Sequence, residues 1–300
     1  MTRLYGVIGH PIGHSLSPAM HTAALRALHL DACYGAFEVP PRFLRPMLHA
    51  FTLAGVDGLN VTVPLKEAVL PLLDCVDRTA QAMGAVNTVV IRSWRTTGYN
   101  TDGTGFRLAL KELGWRARPA RAVLLGAGGA ARAVAWELAR AAGIRLTIAN
   151  RHVKRAERLA RWLSAQRPRA HIKAVPLGKV ALKEVDLLVN ATTVGMRSSD
   201  GYPVDLAALS KETLVYDLVY SRQTPLVRAA RRRGCVAANG LSMLLYQGAE
   251  SFRLWTHREP PIDAMRKALI DAMRSSEFGM RSISDSAFRI SHSEFPGGSS

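Results

Sequence analysis

Cysteine is scarce in this chain: three in 300 residues, Cys33, Cys75 and Cys235, far apart and without any C-x-x-C spacing. That excludes a disulfide framework and a cysteine zinc site, and a reducing, cytoplasmic setting is expected. Long apolar runs are missing too. No window approaches the roughly 18 apolar residues of a membrane span, and Met1 to Pro11 lack the apolar stretch of a signal peptide, so a soluble protein without a membrane partner is expected. Acidic residues number 23 against 40 Lys and Arg, leaving a formal net charge of +17 and a pI near 10.6. Such an excess admits nucleic acid, an anionic surface or a small anion as partner. Apolar residues are not in short supply. At 48% hydrophobic, with mean hydropathy +0.03, the chain can build about two ordinary domain cores, which excludes collagen-like, coiled-coil and largely disordered proteins.

Short β-rich runs alternate with helical patterns, the signature of βαβ units on parallel sheets and hence of an α/β fold. The first series reads as a strand over 5–9, a helix opening at Ser17-Pro18 with Ser17 as N-cap, and a strand over 33–39. A helix over 42–53 is stopped by Gly55, and a strand over 58–63 leads to a helix opening at Pro64-Leu65-Lys66-Glu67. A strand over 85–91 turns near Trp94 and returns to Tyr99. The second series has a strand over 120–126, a helix near 130–142, a strand over 145–149, a helix over 154–166 and strands near 185–190, 213–218 and 235–238. Final helices near 241–255 and 261–274 have no strand of their own and are expected to return to the first domain. Residues 275–300, rich in Ser and Gly, read as a mobile tail.

Gly126-Ala127-Gly128-Gly129-Ala130-Ala131 follows an apolar strand and opens a helix, giving G-x-G-x-x-A where that pattern is informative. Its glycines let backbone approach a pyrophosphate at the helix N-terminus, where free N–H groups and the dipole favour anions. Outside that context the same letters describe an ordinary tight turn. The next strand ends at Asn150-Arg151, where an NAD enzyme usually carries an acid for the ribose 2′-hydroxyl. No acid stands there. Arg151, Lys154 and Arg155 form a cationic cup suited to a 2′-phosphate, so NADP is expected over NAD; the plainer alternative is a solvated basic helix face.

In the first half, Asn60-Val61-Thr62-Val63-Pro64-Leu65-Lys66 sets an amide, a hydroxyl and an ammonium at the carboxyl end of a strand, with Asn87 and Asp102 near two further strand ends. Such a set can hydrogen-bond a polyhydroxylated ring and move a proton. Singly, each has an ordinary structural reading: Lys66 and Glu67 as a helix first turn, Asn60 and Asn87 as turn formers, Asp102 as a cap.

Together these segments resemble the shikimate dehydrogenase family. Gly9-His10-Pro11-Ile12-Gly13-His14-Ser15-Leu16-Ser17-Pro18, the Asn60–Lys66 run, Gly84-Ala85-Val86-Asn87-Thr88, Asn100-Thr101-Asp102-Gly103, the Gly126 loop, Asn190-Ala191-Thr192 and Tyr246-Gln247-Gly248-Ala249 occur in the family's order and span about residues 4–274. The resemblance implies two domains: a substrate-binding catalytic α/β domain over 1–103 and a Rossmann-like NADP-binding domain with a parallel sheet over 104–240. Helices over 241–274 would pack back on the first domain. It implies reversible NADPH-dependent reduction of 3-dehydroshikimate to shikimate, in the pathway toward chorismate and aromatic amino acids. Lys66 and Asp102 would be the catalytic pair; Ser15 and Ser17 would hold the substrate carboxylate, with Thr62, Asn87 and Gln247 around the ring and Tyr220 and Asn60 in the same pocket. Gly126, Ala127, Gly128, Gly129, Ala130, Asn150, Arg151, Arg155 and Thr192 would hold the cofactor. Lys66 as ammonium can polarise the ketone oxygen and donate, and as neutral amine can accept, while Asp102 orients both.

Two departures from the family pattern stand out. Val219-Tyr220-Ser221-Arg222-Gln223-Thr224-Pro225 lacks the usual Pro after Val-Tyr and is one residue shorter, and His152 replaces a small hydroxyl residue, where it reads as a helix cap. A quinate/shikimate dehydrogenase using NAD or NADP is the nearest alternative, opposed by the missing acid. A folate-type methylene dehydrogenase shares the two-domain plan and a lysine, but not the paired serines. Nonspecific nucleic-acid binding is the alternative from another class; Arg231-Arg232-Arg233, the densest basic run, sits at a helix end where cations complement the dipole, with no aromatic interleaving. His10, His14 and His21 share no ligand geometry, so no metal is expected. The expected partner is a small-molecule substrate, the chain a monomer or homodimer.

Overall fold

The computed structural model describes residues 2–287 apart from Ala117 and Ser198, with side chains as far as Ser275. Two six-stranded sheets carry the described fold. The first contains β1 (Arg3–Gly9), β2 (Ala32–Glu38), β3 (Val56–Val61), β4 (Cys75–Val76), β5 (Thr88–Arg92) and β6 (Arg95–Tyr99), in the order β2-β1-β3-β5-β6-β4. Between these strands lie α1 (Ser17–Ala27), α2 (Leu44–Leu53) and α3 (Arg78–Met83). This sheet is mixed: β5 returns antiparallel into β6, as expected from the turn near Trp94, but it also runs antiparallel to β3, which corrects the expectation of parallel strands there. The β5–β6 return has a local cause: Ser93 and Trp94, both at positive φ, turn β5 directly into β6, and a two-residue hairpin allows no crossover.

The helix expected from Pro64 is absent. Residues 62–69 form turns, with Leu65 and Val69 fully buried, and only a single 3₁₀ turn follows at Leu70–Leu72. Pro71 would lie inside such a helix, where its ring and missing N–H break the ladder. Lys66 therefore sits on a loop whose carbonyl accepts from the Val86 N–H at 2.8 Å. Ser17 is the first residue of α1 and makes no capping bond; Leu16 occupies the cap position, with proline in the first turn.

After α4 (Asp102–Glu112) the second sheet holds β7 (Ala120–Leu125), β8 (Ile144–Asn150), β9 (His171–Pro176), β10 (Leu187–Asn190), β11 (Leu214–Asp217) and β12 (Ala237–Asn239). All are parallel, in the order β12-β11-β10-β7-β8-β9. The intervening helices are α5 (Gly129–Leu138), α6 (Val153–Gln166) and α7 (Pro225–Arg232). The strand order reverses between β7 and β10, the point where open α/β sheets bind ligands.

α8 (Leu241–Thr256) and α9 (Ile262–Ala287) pack on α1, and α8 also reaches β3 and β5 of the first sheet. Leu245, Phe252, Trp255, Met265 and Leu269 share a core with Tyr5, Val7 and Met20. Burying each large side chain contributes about 1.5–3 kcal/mol before entropy is counted. α9 continues to Ala287, into the segment read as a tail, of which residues 288–300 lie outside the described residues.

Candidate active site

Topology brings the polar residues of the first half to one sheet edge. β1, β3 and β6 end there, and the antiparallel β5 begins there, so the Ser15–Ser17 loop, Thr62, Lys66, Asn87 and Asp102 converge without being neighbours in sequence. At the centre Lys66 Nζ donates to Asp102 Oδ2 at 2.5 Å, with the side chains 14% and 5% exposed. Charge-assisted bonds of this kind are roughly twice as strong as neutral ones. The other Asp102 oxygen accepts from Asn87 Nδ2 at 2.9 Å, and the same amide reaches Thr101 Oγ1 at 2.9 Å and Gln247 Oε1 at 3.2 Å. Asn87 Oδ1 accepts from the Thr101 N–H at 2.8 Å, which fixes the amide's orientation.

Gln247 comes from α8, which crosses α4 closely because Gly105 has no side chain: a Cβ there would stand 2.8 Å from the Gln247 backbone nitrogen and the Met243 carbonyl oxygen. Asn60 behaves differently from the sequence expectation. Its Oδ1 accepts from Tyr34 OH at 2.7 Å, and its Nδ2 donates to Ser251 Oγ at 3.0 Å and to the Asn87 carbonyl at 3.3 Å. The buried amide is thus occupied by protein partners and supports the pocket from behind. Ser251 continues to Thr88 Oγ1 at 2.7 Å and Thr88 to Asn87 Oδ1 at 3.0 Å. At its other end this chain of bonds reaches the Tyr34 hydroxyl through Asn60, and burial raises the Tyr34 phenol well above its ordinary value. One polar network therefore links Tyr34 to Lys66.

Ser15 is partly exposed, and its Oγ accepts from the Ser17 N–H at 3.3 Å. Thr62 is likewise half-buried, its methyl lying over Gly9, where a Cβ would be only 2.5 Å away. Tyr220, in the loop after β11, lies within electrostatic reach of Tyr34, and burial raises its phenol. Tyr34, Thr88, Thr101 and Ser251 were not singled out as site residues. Ser251 had one signal: it follows Gln247 by four residues and so shares its helix face.

On the second sheet Gly126 has φ +110, and a Cβ there would stand 2.7 Å from the Ala191 carbonyl oxygen, so β7 can turn tightly against the Asn190-Ala191-Thr192 segment only with glycine. A Cβ at Gly128 would meet nothing within 4 Å, and one at Gly129 would lie 3.7 Å from the Lys66 stem. The loop thus leaves open backbone at the α5 N-terminus, flanked by partly exposed Ala127 and Ala130, directly beside Lys66. Thr192 Oγ1 donates to Asn190 Oδ1 at 2.7 Å. Asn190 Nδ2 in turn donates to the buried Asp217 at 2.9 Å, whose carboxyl burial pushes up to about 6 against the bonds from Thr224, Val219 and Asn190.

Asn150 Nδ2 donates to the His152 carbonyl at 3.1 Å. His152 occupies the cap position of α6, but its side chain makes no capping bond. Arg151, Lys154 and Arg155 are exposed, and no side-chain partner is seen for them among the described residues. A separate groove of about 570 Å³, lined in part by Arg3, Asp57 and Trp94, contains none of these residues; its Arg92 caps α8 by donating to the Leu254 and Trp255 carbonyls. No helix of the described residues is long and apolar enough to cross a membrane, and no cluster of three or more His, Cys, Asp or Glu among them can hold a metal ion.

A dinucleotide-type cradle at a switch point, set against a lysine–carboxylate pair on a second α/β sheet, defines a two-domain, nucleotide-linked oxidoreductase. Family models for the shikimate dehydrogenase substrate binding domain, shikimate / quinate 5-dehydrogenase and the shikimate 5′-dehydrogenase C-terminal domain match residues 7–89, 107–197 and 240–270. A protein of Symbiobacterium thermophilum named shikimate dehydrogenase (NADP(+)) is 46% identical over 278 residues, 90% of this chain and 95% of that one. A crystal structure of a shikimate dehydrogenase in complex with NADP+ superposes with TM-score 0.87 at 41% identity, covering 91% of this chain and 96% of that one. The Thermus thermophilus enzyme in complex with NADP(H) and shikimate gives 0.82 at 42%, covering 90% and 100%. The chain belongs to the shikimate dehydrogenase family.

Proposed function

We propose that this protein, a cytoplasmic enzyme, catalyses the reversible NADPH-dependent reduction of 3-dehydroshikimate to shikimate, with Lys66 and Asp102 as the catalytic pair. The observation that carries this reading is the Lys66–Asp102 bond of 2.5 Å beside the glycine loop, the Lys66 stem lying 3.7 Å from where a Gly129 side chain would begin. The site residues fit an anionic dinucleotide: open backbone at Gly128 and Gly129, a helix N-terminus, and Arg151 and Arg155 free in solvent at the end of β8, where no acid would repel a 2′-phosphate. Thr192 completes that lining. When bound, the reduced nicotinamide supplies the hydride.

The chain's own residues position the ketone and handle the proton. Ser15 and Ser17 take the substrate carboxylate through their hydroxyls, and Thr62, Asn87, Gln247 and Tyr220 hold the ring. Lys66 Nζ, already anchored on Asp102, donates to the developing alkoxide in reduction and accepts the hydroxyl proton in oxidation. Asp102 keeps the ammonium aimed, and Asn87 keeps Asp102 aimed. Because that hydrogen-bond shell is in place before substrate arrives, little reorganisation is needed at the moment of transfer.

The experiment is absorbance at the reduced-nicotinamide band with shikimate or quinate and NADP or NAD. Shikimate with NADP gives the fastest turnover. Faster turnover of quinate, the second substrate in the description of the matched 107–197 model, would reassign the substrate, and equal use of NAD would overturn the Arg151 argument.

A further inference from the structure

Arg132 lies in the first turn of α5, with its backbone N–H bonded to the Gly128 carbonyl at 3.0 Å, yet its side chain leaves that helix for the other sheet's loops. Its Nε donates to the carbonyl of Met83, the last residue of α3. The next residue, Gly84, has φ +65, and a Cβ on it would stand 2.7 Å from Arg132 Nη2. The positive φ favours glycine there, and the absent side chain leaves room for the guanidinium. From this point the chain runs directly into the site: the Val86 N–H holds the Lys66 carbonyl at 2.8 Å, and Asn87 holds Asp102.

The guanidinium is also held from behind. Its carbon lies 4.4 Å from the Trp162 ring centroid, Trp162 stacks on Trp136 with centroids 5.9 Å apart, and the Arg167 guanidinium lies over the Trp136 ring at 4.2 Å. Such a cation–aromatic stack restricts where Arg132 can point. The Met83 side chain is separately buried among Phe106 and Trp136, so packing of the junction does not depend on the arginine.

We propose that Arg132 is a positioning residue: a latch that fixes the dinucleotide cradle at the α5 N-terminus in register with the Lys66–Asp102 corner, braced by the Trp162–Trp136–Arg167 stack. The inference rests on the NADP and shikimate reading above. The latch belongs to the geometry of hydride transfer and not to affinity, because Arg132 binds protein backbone on the side of α5 facing Met83.

The test is Arg132→Met in the full chain, which keeps the aliphatic stem and removes the donor, with Arg132→Lys as the conservative variant and Trp162→Leu removing the brace alone. Steady-state rates, direct NADP titration by tryptophan fluorescence and amide hydrogen exchange over residues 84–88 are measured on each. In Arg132→Met kcat falls about tenfold to a hundredfold, the size expected when reacting groups shift by about an ångström. NADP affinity stays within about threefold, and exchange over 84–88 speeds up. Arg132→Lys restores part of kcat, and Trp162→Leu shows the same split at smaller size. Unchanged kcat with unchanged exchange in Arg132→Met overturns the latch, as does a loss of NADP affinity that accounts for the whole loss of rate. If wild-type enzyme turns over no shikimate, the functional reading fails on its own, and the exchange comparison still decides the latch.

Discussion

At the Lys66 corner, Asp102 uses both carboxylate oxygens, Asn87 uses its amide nitrogen and oxygen, and Asn60, Thr88 and Ser251 tie that amide to the fold. Some 20 residues past the glycine loop, Arg151, Lys154 and Arg155 stand in solvent without a seen side-chain partner. The first region is preorganised: its cost of ordering was met on folding, and its charges already have partners. The second holds charge in reserve, so its contribution appears only when an anion arrives. Substitutions in the two regions should therefore fail in different ways, the first in turnover and the second in affinity.

Lys66→Ala should show the largest effect, a loss of about 10²- to 10⁴-fold in kcat, the range expected of a positioned proton donor. NADP binding measured by fluorescence titration should barely change. Parallel losses in both would merge the two regions and refute the separation.

Arg151→Ala is the converse. Losing a charge-assisted contact of about 1.5–3 kcal/mol raises the Michaelis constant for NADPH by about tenfold to a hundredfold and leaves that for NADH unchanged. Equal increases with both cofactors would remove the 2′-phosphate from the explanation. Smaller still is Ser17→Ala: one neutral hydrogen bond is worth about 0.5–1.5 kcal/mol, so the Michaelis constant for shikimate should rise about twofold to tenfold at nearly constant kcat. A fall in kcat larger than that rise would show that the buried cluster behind Ser17 feeds into the Lys66 corner.

The same contrast explains what could be read from the chain. The cofactor loop was legible because its signal is local, a strand, then Gly126 to Ala131, then a helix, each set by neighbouring residues. The parallel second sheet followed from that alternation. Lys66 was legible as a residue type but not in its conformation: the helix expected from Pro64 fails on Pro71, and the loop is instead held by Val86. The return of β5 into β6 was legible at Trp94, but the antiparallel pairing of β5 with β3 was not, because it joins strands separated by the whole of residues 62–87. Asn60 stood in a telling motif yet serves the fold, because Tyr34 and Ser251, far away in sequence, occupy its amide. Such partners come from β2 in the same sheet and from α8 packed over it, and no local pattern encodes that.

A last expected effect concerns stability, not activity, and it probes how closed the first region is. His21 is 1% exposed, stacks on Tyr34 at 4.4 Å and has no hydrogen-bond partner on either ring nitrogen. Burial pushes its pKa down to about 3. The folded imidazole thus stays neutral where the unfolded one, titrating near 6.5, takes up a proton. The unfolded state then binds more protons, so this stability is present above pH 6.5 and is lost as pH falls toward 3. Between pH 7 and pH 5 the loss amounts to about 2 kcal/mol from this one group. His21→Phe keeps an aromatic ring on Tyr34 and removes the titration, so urea unfolding at the two pH values should show a correspondingly flatter dependence than wild type. Identical dependence in both proteins would mean that water reaches the imidazole, and the region behind Ser17 would then be as open as the one around Arg151.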